Sequence, residues 1–183
     1  MSHRRGQSHA DVSDGEERAM RLMFSTNNNY SAGGMAGICS AMSCDWAHRS
    51  IESNGIISSS QLDSPHGLSI AQGAYVIGHT RGDAIFSRYD LNVIGHKTVT
   101  TGLPLSLAHA ISQQPAGHIM IGVYGGFGGH TMGARIDNGS AQFFDPNFGL
   151  YRGTSRVQLK SFLTEHLVKH YQGTSWGELW RVR

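Results

Sequence analysis

Residues 129–146 read Gly-His-Thr-Met-Gly-Ala-Arg-Ile-Asp-Asn-Gly-Ser-Ala-Gln-Phe-Phe-Asp-Pro. Asn-Gly between two apolar runs is the strongest short signal for a β-hairpin closed by a two-residue turn. Residues 131–137 and 140–145 are then its strands, and Asn138-Gly139 its turn. In that register the numbers of facing residues sum to 277. Asp145 faces Met132, and His130 lies diagonally, two positions further along the same face, within reach of a long side chain. The hairpin therefore allows one carboxylate to hold one imidazole. A bulge at Gly133 would shift the register and undo this.

Reading outward, residues 119–124 form a continuous apolar run ending at Gly125-Gly126, as a buried strand does. Downstream, Ser155 with Gln158 makes a capping-box pattern, and Leu159, Leu163 and Leu167 make an apolar stripe, so 156–171 is predicted helical. The last ten residues, with Trp176, Leu179, Trp180 and Val182, fit a closing strand. In the first half, a helix is predicted from Gly37-Ile38-Cys39 to about residue 53. Ile38, Met42, Trp46 and Ile51 fall near helical spacing, and Asn54-Gly55 ends the run. Residues 56–66 are Ser-rich and loop-like. Residues 68–78 and 83–94 fit short helices, and Pro104 opens another over 105–114. Residues 1–19 have almost nothing to bury and read as a flexible tail, with one domain over 20–183. Helices followed by antiparallel strands predict an α+β fold with the Cys39 helix packed on the sheet.

Composition excludes several classes. Of 183 residues, 39% are hydrophobic and only 15% charged, with a net charge of +2. No apolar run approaches the roughly 20 residues of a membrane helix. Lys and Arg are scattered, so nucleic acid is not the expected partner. The polar start lacks the apolar core of a secretory signal. The two cysteines, Cys39 and Cys44, are too far apart along one helix for a disulfide, so both are expected to be free thiols in a reducing compartment.

A cysteine that opens a helix sits where unpaired N–H groups and the helix dipole favour the thiolate. Gly33-Gly34 and Gly37 before it allow a substrate backbone to approach. Cys39 as nucleophile, His130 as base and Asp145 as orienting carboxylate make a triad in the order Cys, His, Asp. On spacing alone a plainer reading stands beside it: His130 is one of 11 histidines, and Asp145 closes a strand before Pro146.

Three motifs carry a resemblance. Gly37-Ile38-Cys39-Ser40-Ala41-Met42-Ser43, with Trp46 shortly after, resembles the nucleophile motif of the YopT/AvrPphB family of bacterial effector cysteine peptidases. Gly129-His130-Thr131-Met132 resembles its histidine block, and Phe143-Phe144-Asp145-Pro146-Asn147-Phe148-Gly149 its aspartate block. The motifs stand in family order within residues 28–182. The resemblance implies a papain-like fold, a Cys39–His130–Asp145 triad without cofactor or metal, and action in a host cytosol on a host protein. The short chain resembles the compact branch typified by the Rho-inactivating deamidase TecA. That branch implies a Rho-family small GTPase as partner, with endoproteolysis near a GTPase tail as the alternative. The oxyanion donor departs from the usual pattern, because Gly33 and Gly34 stand where papain-like sites place an amide. Asn27, Asn28 and Asn29 are the nearest amides. Asn29 is the candidate, together with the Cys39 backbone N–H.

Other features fit quieter roles. Gly125-Gly126-Phe127-Gly128-Gly129 lacks the Lys and helix of a phosphate loop and reads as a turn leading to His130. His166 and His170, i and i+4 on a helix, have no evident third metal ligand and are expected on a solvated face. Trp176 and Trp180 are expected to pack in the core. An inert interaction module of the same fold remains as a different class of function. Fast alkylation of Cys39 beside an unreactive Cys44 would favour the enzyme.

Overall fold

The structure is a computed structural model that describes residues 19–32, 35–77 and 83–183. Strands β1 (Arg21–Phe24), β2 (Ser31–Ala32) and β3 (Met35–Ala36) precede helices α1 (Cys39–Glu52) and α2 (Pro65–Ile77). Strand β4 (Val93–Val99) and helix α3 (Leu105–Ser112) follow. The second half runs β5 (Gly117–Gly125), β6 (Gly128–Asp137), β7 (Ser140–Asp145), β8 (Gly149–Gly153), helix α4 (Arg156–His170) and β9 (Thr174–Val182). Residues 1–18 of the tail predicted over 1–19, and Gly33-Gly34 of the loop before Cys39, lie outside the described residues.

Seven strands form an antiparallel sheet in the order β1-β8-β7-β6-β5-β9-β4. Asn138-Gly139 turns the chain between β6 and β7, with Gly139 at φ +85°, where glycine pays no steric penalty. The register is the expected one from Asp137–Ser140 to Gly133–Phe144, with no bulge at Gly133. Gly133 serves packing instead. A Cβ there would meet the Trp46 ring at 2.3 Å, so its bare backbone lets α1 lie close on β6.

Alternation along the strands divides the core into two layers. Met120, Phe144, Leu150 and Trp180 face α1 and pack with Ile38, Met42 and Trp46. Ile119, Ile121, Met132, Ala134, Phe143 and Leu179 face the other way, onto Leu107 and Ile111 of α3 and the Leu159, Leu163, Leu167 stripe of α4. Trp46 stacks on Phe144 with centroids 5.4 Å apart. At the far end of α1, Asn54 (φ 53°) and Gly55 (φ 82°) reverse the chain in the left-handed region. Buried Arg135 of β6 donates to Asn54 Oδ1 at 2.7 Å, and Gln142 of β7 donates to the Gly55 carbonyl at 2.8 Å. The helix is thus pinned to the hairpin that carries His130 and Asp145.

The helix expected over 83–94 is corrected. Only a short 3-10 turn, Phe86–Tyr89, forms there, and β4 begins at Val93. β4 is one of the sheet's two edge strands, held by backbone pairing to β9. Together with β1 it places sheet strands ahead of α3, so helices and strands are less segregated along the sequence than expected. The two tryptophans differ as well. Trp180 is buried, but Trp176 is 38% exposed and stacks on Tyr124 at 4.0 Å.

Candidate active site

Helix α1 begins at Cys39, and its first turn is tied down from two sides. The Ile38 N–H donates to Asn28 Oδ1 at 2.6 Å, and the Ala41 N–H donates to the buried Gln72 Oε1 of α2 at 2.9 Å. Neighbouring hydroxyls join α1 to β6: Ser40 Oγ lies 2.9 Å from Thr131 Oγ1, and Ser43 Oγ donates to the Thr131 carbonyl at 2.9 Å. The N–H groups of Cys39 and Ser40 have no acceptor within the helix, as in any first turn.

The structure brings Cys39, His130 and Asp145 together. His130 Nε2 lies 2.9 Å from Asp145 Oδ1, both residues being buried. The carboxylate can only accept, so Nε2 carries the proton and Nδ1 is the ring nitrogen left to interact with the Cys39 thiol, whose pKa His130 lowers. β6 runs past the last β7 pair at Gly133–Phe144, which places His130 at the sheet margin, where the imidazole meets the start of α1.

Electrostatics follow from these contacts. Burial alone would raise the Cys39 pKa. The hydrogen bond and charge of His130, helped by the Thr131 backbone and Ser40, outweigh it and bring the thiol below its ordinary 9.0. Burial alone would lower the His130 pKa, but hydrogen bonds to Asp145 and Cys39 raise it to about 10. Asp145 is pushed up by burial and pulled down further by His130, His166 and Tyr171, ending well below the carboxylate range. These directions describe a thiolate–imidazolium pair. Cys44 is the opposite case: it is fully buried, and burial pushes its thiol well above 9.0. Both cysteines are free.

Asp145 is a hub. Its Oδ1 also accepts from the Asn147 N–H at 3.0 Å. Its Oδ2 accepts from His166 Nε2 at 2.8 Å and from the Tyr171 hydroxyl at 2.7 Å. From Tyr171 the chain of bonds continues: Asn147 Nδ2 donates to the Tyr171 hydroxyl at 3.1 Å, and Asn28 Nδ2 donates to Asn147 Oδ1 at 3.1 Å. Since Asn28 also holds Ile38, one network joins the carboxylate to the start of the Cys39 helix.

One expectation is corrected by the burial of a histidine. His166 does not lie on a solvated face: it is buried and bound to Asp145, although His170 is exposed. Its partner sits 21 residues earlier, beyond any i, i+4 pattern. Among the amides, Asn28 is the one brought to Cys39's helix. Asn29 is exposed, and its backbone N–H turns back to Asn27 Oδ1 at 2.9 Å. Among the described residues, no group of three or more His, Cys, Asp or Glu is arranged to hold a metal ion.

A helix-borne cysteine beside a histidine on an antiparallel sheet is the layout of papain-like cysteine hydrolases. The chain belongs to the Peptidase C58 family, described as Yersinia/Haemophilus virulence surface antigen, whose model matches residues 78–181. That span includes His130 and Asp145, while Cys39 lies before it. In fold the chain is similar to the Pseudomonas avirulence protein AvrPphB, with a TM-score of 0.64 at 16% identity over 87% of this chain and 95% of that one. It also matches PatoxP, a cysteine protease-like domain of the Photorhabdus asymbiotica toxin PaTox, with a TM-score of 0.49 at 13% identity over 90% of this chain and 54% of that one. No curated protein matches the sequence.

Proposed function

We propose that the protein is a bacterial effector thiol hydrolase that attacks an amide carbonyl of a host protein, with Cys39 as nucleophile, His130 as acid–base and Asp145 as its orienting carboxylate. The observation that carries it is the buried 2.9 Å bond from His130 to Asp145 beside Cys39 at the start of α1, with both cysteine and histidine shifted toward their charged forms. The thiolate adds to the carbonyl carbon. The oxyanion is met by the Cys39 backbone N–H and by a side-chain amide of the Asn27–Asn29 run, of which Asn28 is tied to the start of α1. His130 gives its proton to the leaving nitrogen, and a thioester remains. His130 then takes a proton from water, the hydroxide cleaves the thioester, and carboxylate and thiol are restored.

This chemistry serves a side-chain amide and a peptide bond equally well. The resemblance to the compact branch with a Rho-inactivating deamidase favours an Asn or Gln side chain of a Rho-family GTPase in the host cytosol as the amide attacked. Peptide cleavage is the second reading, favoured by membership of a peptidase family. Intact-mass spectrometry of a Rho GTPase after incubation separates them: hydrolysis of a side-chain amide adds about 1 Da. Loss of a C-terminal fragment would show proteolysis. Unchanged masses across several Rho GTPases would rule out the substrate assignment.

A further inference from the structure

We propose that His166 is a positioning residue for the acid–base pair: by donating from Nε2 to Asp145 Oδ2, it keeps Oδ1 turned to His130. The proposal rests on the thiol-hydrolase reading above and adds to it a second imidazole on the same carboxylate.

The geometry is specific. Asp145 is fully buried and ionised, so each of its oxygens needs donors. Oδ1 has His130 Nε2 at 2.9 Å and the Asn147 N–H at 3.0 Å; Oδ2 has His166 Nε2 at 2.8 Å and Tyr171 at 2.7 Å. Rotating the carboxylate away from His130 breaks bonds at both oxygens. His166 is itself fixed by rings, with Phe143 at 5.3 Å, Phe148 at 5.0 Å and Phe162 at 5.3 Å. The titratable groups facing it are Asp145 from β7, Tyr151 from β8 at 6.1 Å, His170 from α4 at 4.8 Å and Tyr171 at 6.0 Å. Asp145 is its one carboxylate among these, and a neutral ring with Nε2–H suffices for the bond.

Removing the donor leaves Asp145 free to turn from His130 part of the time. His130 then loses the contact that raises its pKa, and Cys39 loses imidazolium. The pH window of the ion pair should narrow from both sides.

The test is the pH profile of Cys39 alkylation by iodoacetate, whose negative charge makes it sensitive to the imidazolium. His166→Phe fits the aromatic surroundings and deletes the donor, whereas His166→Gln keeps an N–H. His166→Phe should slow alkylation at neutral pH about tenfold or more, the effect of losing a buried hydrogen bond to a charged group. It should also move the alkaline limb down and the acid limb up. His166→Gln should recover most of the rate and both limbs. Unmoved limbs in a folded His166→Phe protein, an alkaline limb that moves up, or a Gln variant as impaired as Phe would overturn the positioning role while leaving the activated thiol intact. A wild-type Cys39 no more reactive than an ordinary thiol would overturn both proposals.

Discussion

Tyr171 lies almost flat on His130, with ring centroids 5.1 Å apart and planes 16° from parallel, while its hydroxyl holds Asp145 at 2.7 Å. One side chain thus covers the imidazole and tethers its carboxylate. Tyr171→Phe keeps the ring and loses the tether, so Cys39 alkylation at neutral pH should fall about tenfold, as expected for one hydrogen bond to a buried charge. Tyr171→Ala exposes the pair to water as well and should lose more. Equal rates for the two variants would mean that the hydroxyl alone matters.

The two histidine–carboxylate shifts set a pH window. Asp145 is held below its unfolded value of 3.8, so its contribution to stability is present above that value and is lost as pH falls through the folded one. His130 is raised from 6.5 to about 10, so its contribution is full below 6.5 and is lost as pH rises toward 10. Thermal unfolding followed across pH should therefore show Asp145→Asn flattening the acid side and His130→Ala flattening the alkaline side. A wild-type midpoint that keeps rising from pH 7 to 10 would contradict the His130 assignment.

Asn28 and Asn29 make a paired comparison. Asn28→Ala removes the Ile38 N–H acceptor and the bond to Asn147, and should lower turnover about a hundredfold, the scale of one oxyanion-hole donor. Asn29→Ala should leave turnover almost unchanged. Steady-state rates on the protein substrate identified by mass would reverse the assignment if Asn29→Ala were the impaired variant.

Gly133→Ala should destabilise the fold by about 1–3 kcal/mol, since the added methyl group overlaps the Trp46 ring. Chemical denaturation measures it directly. A neutral substitution would show that Trp46 can shift without cost.

The parts legible in the sequence were those that local rules govern. Asn138-Gly139 fixed a register that the ladder follows to Gly133–Phe144. The α4 cap was half legible: Ser155 Oγ accepts from the Gln158 N–H at 3.2 Å, but the Gln158 side chain turns to the Thr154 N–H at 2.6 Å rather than closing the box. β4 was missed because Val-Ile-Gly-His-Lys-Thr-Val has no clean alternation, and edge pairing to β9 decides its conformation. β8 is only five residues, Gly-Leu-Tyr-Arg-Gly, and is defined by its partners. At the site, the diagonal from Asp145 to His130 could be counted from the turn. The roles of His166, Tyr171 and Asn28 depend on how α4 and the segment before α1 dock against the β7 end, and no local pattern encodes that. Of these, the Asn27–Asn29 amides and the i, i+4 histidines left a trace, and the histidine spacing pointed to solvent rather than to a buried carboxylate.

On the proposed chemistry Cys39, and not Cys44, is the activated thiol. The most direct measurement treats the folded protein with less than one equivalent of iodoacetate near neutral pH and maps the label by peptide mass spectrometry. The label should fall on Cys39 alone, and His130→Ala should slow it sharply without exposing Cys44. Label on Cys44 first, or slow and equal label on both cysteines, would contradict the claim and leave the fold as an inert module.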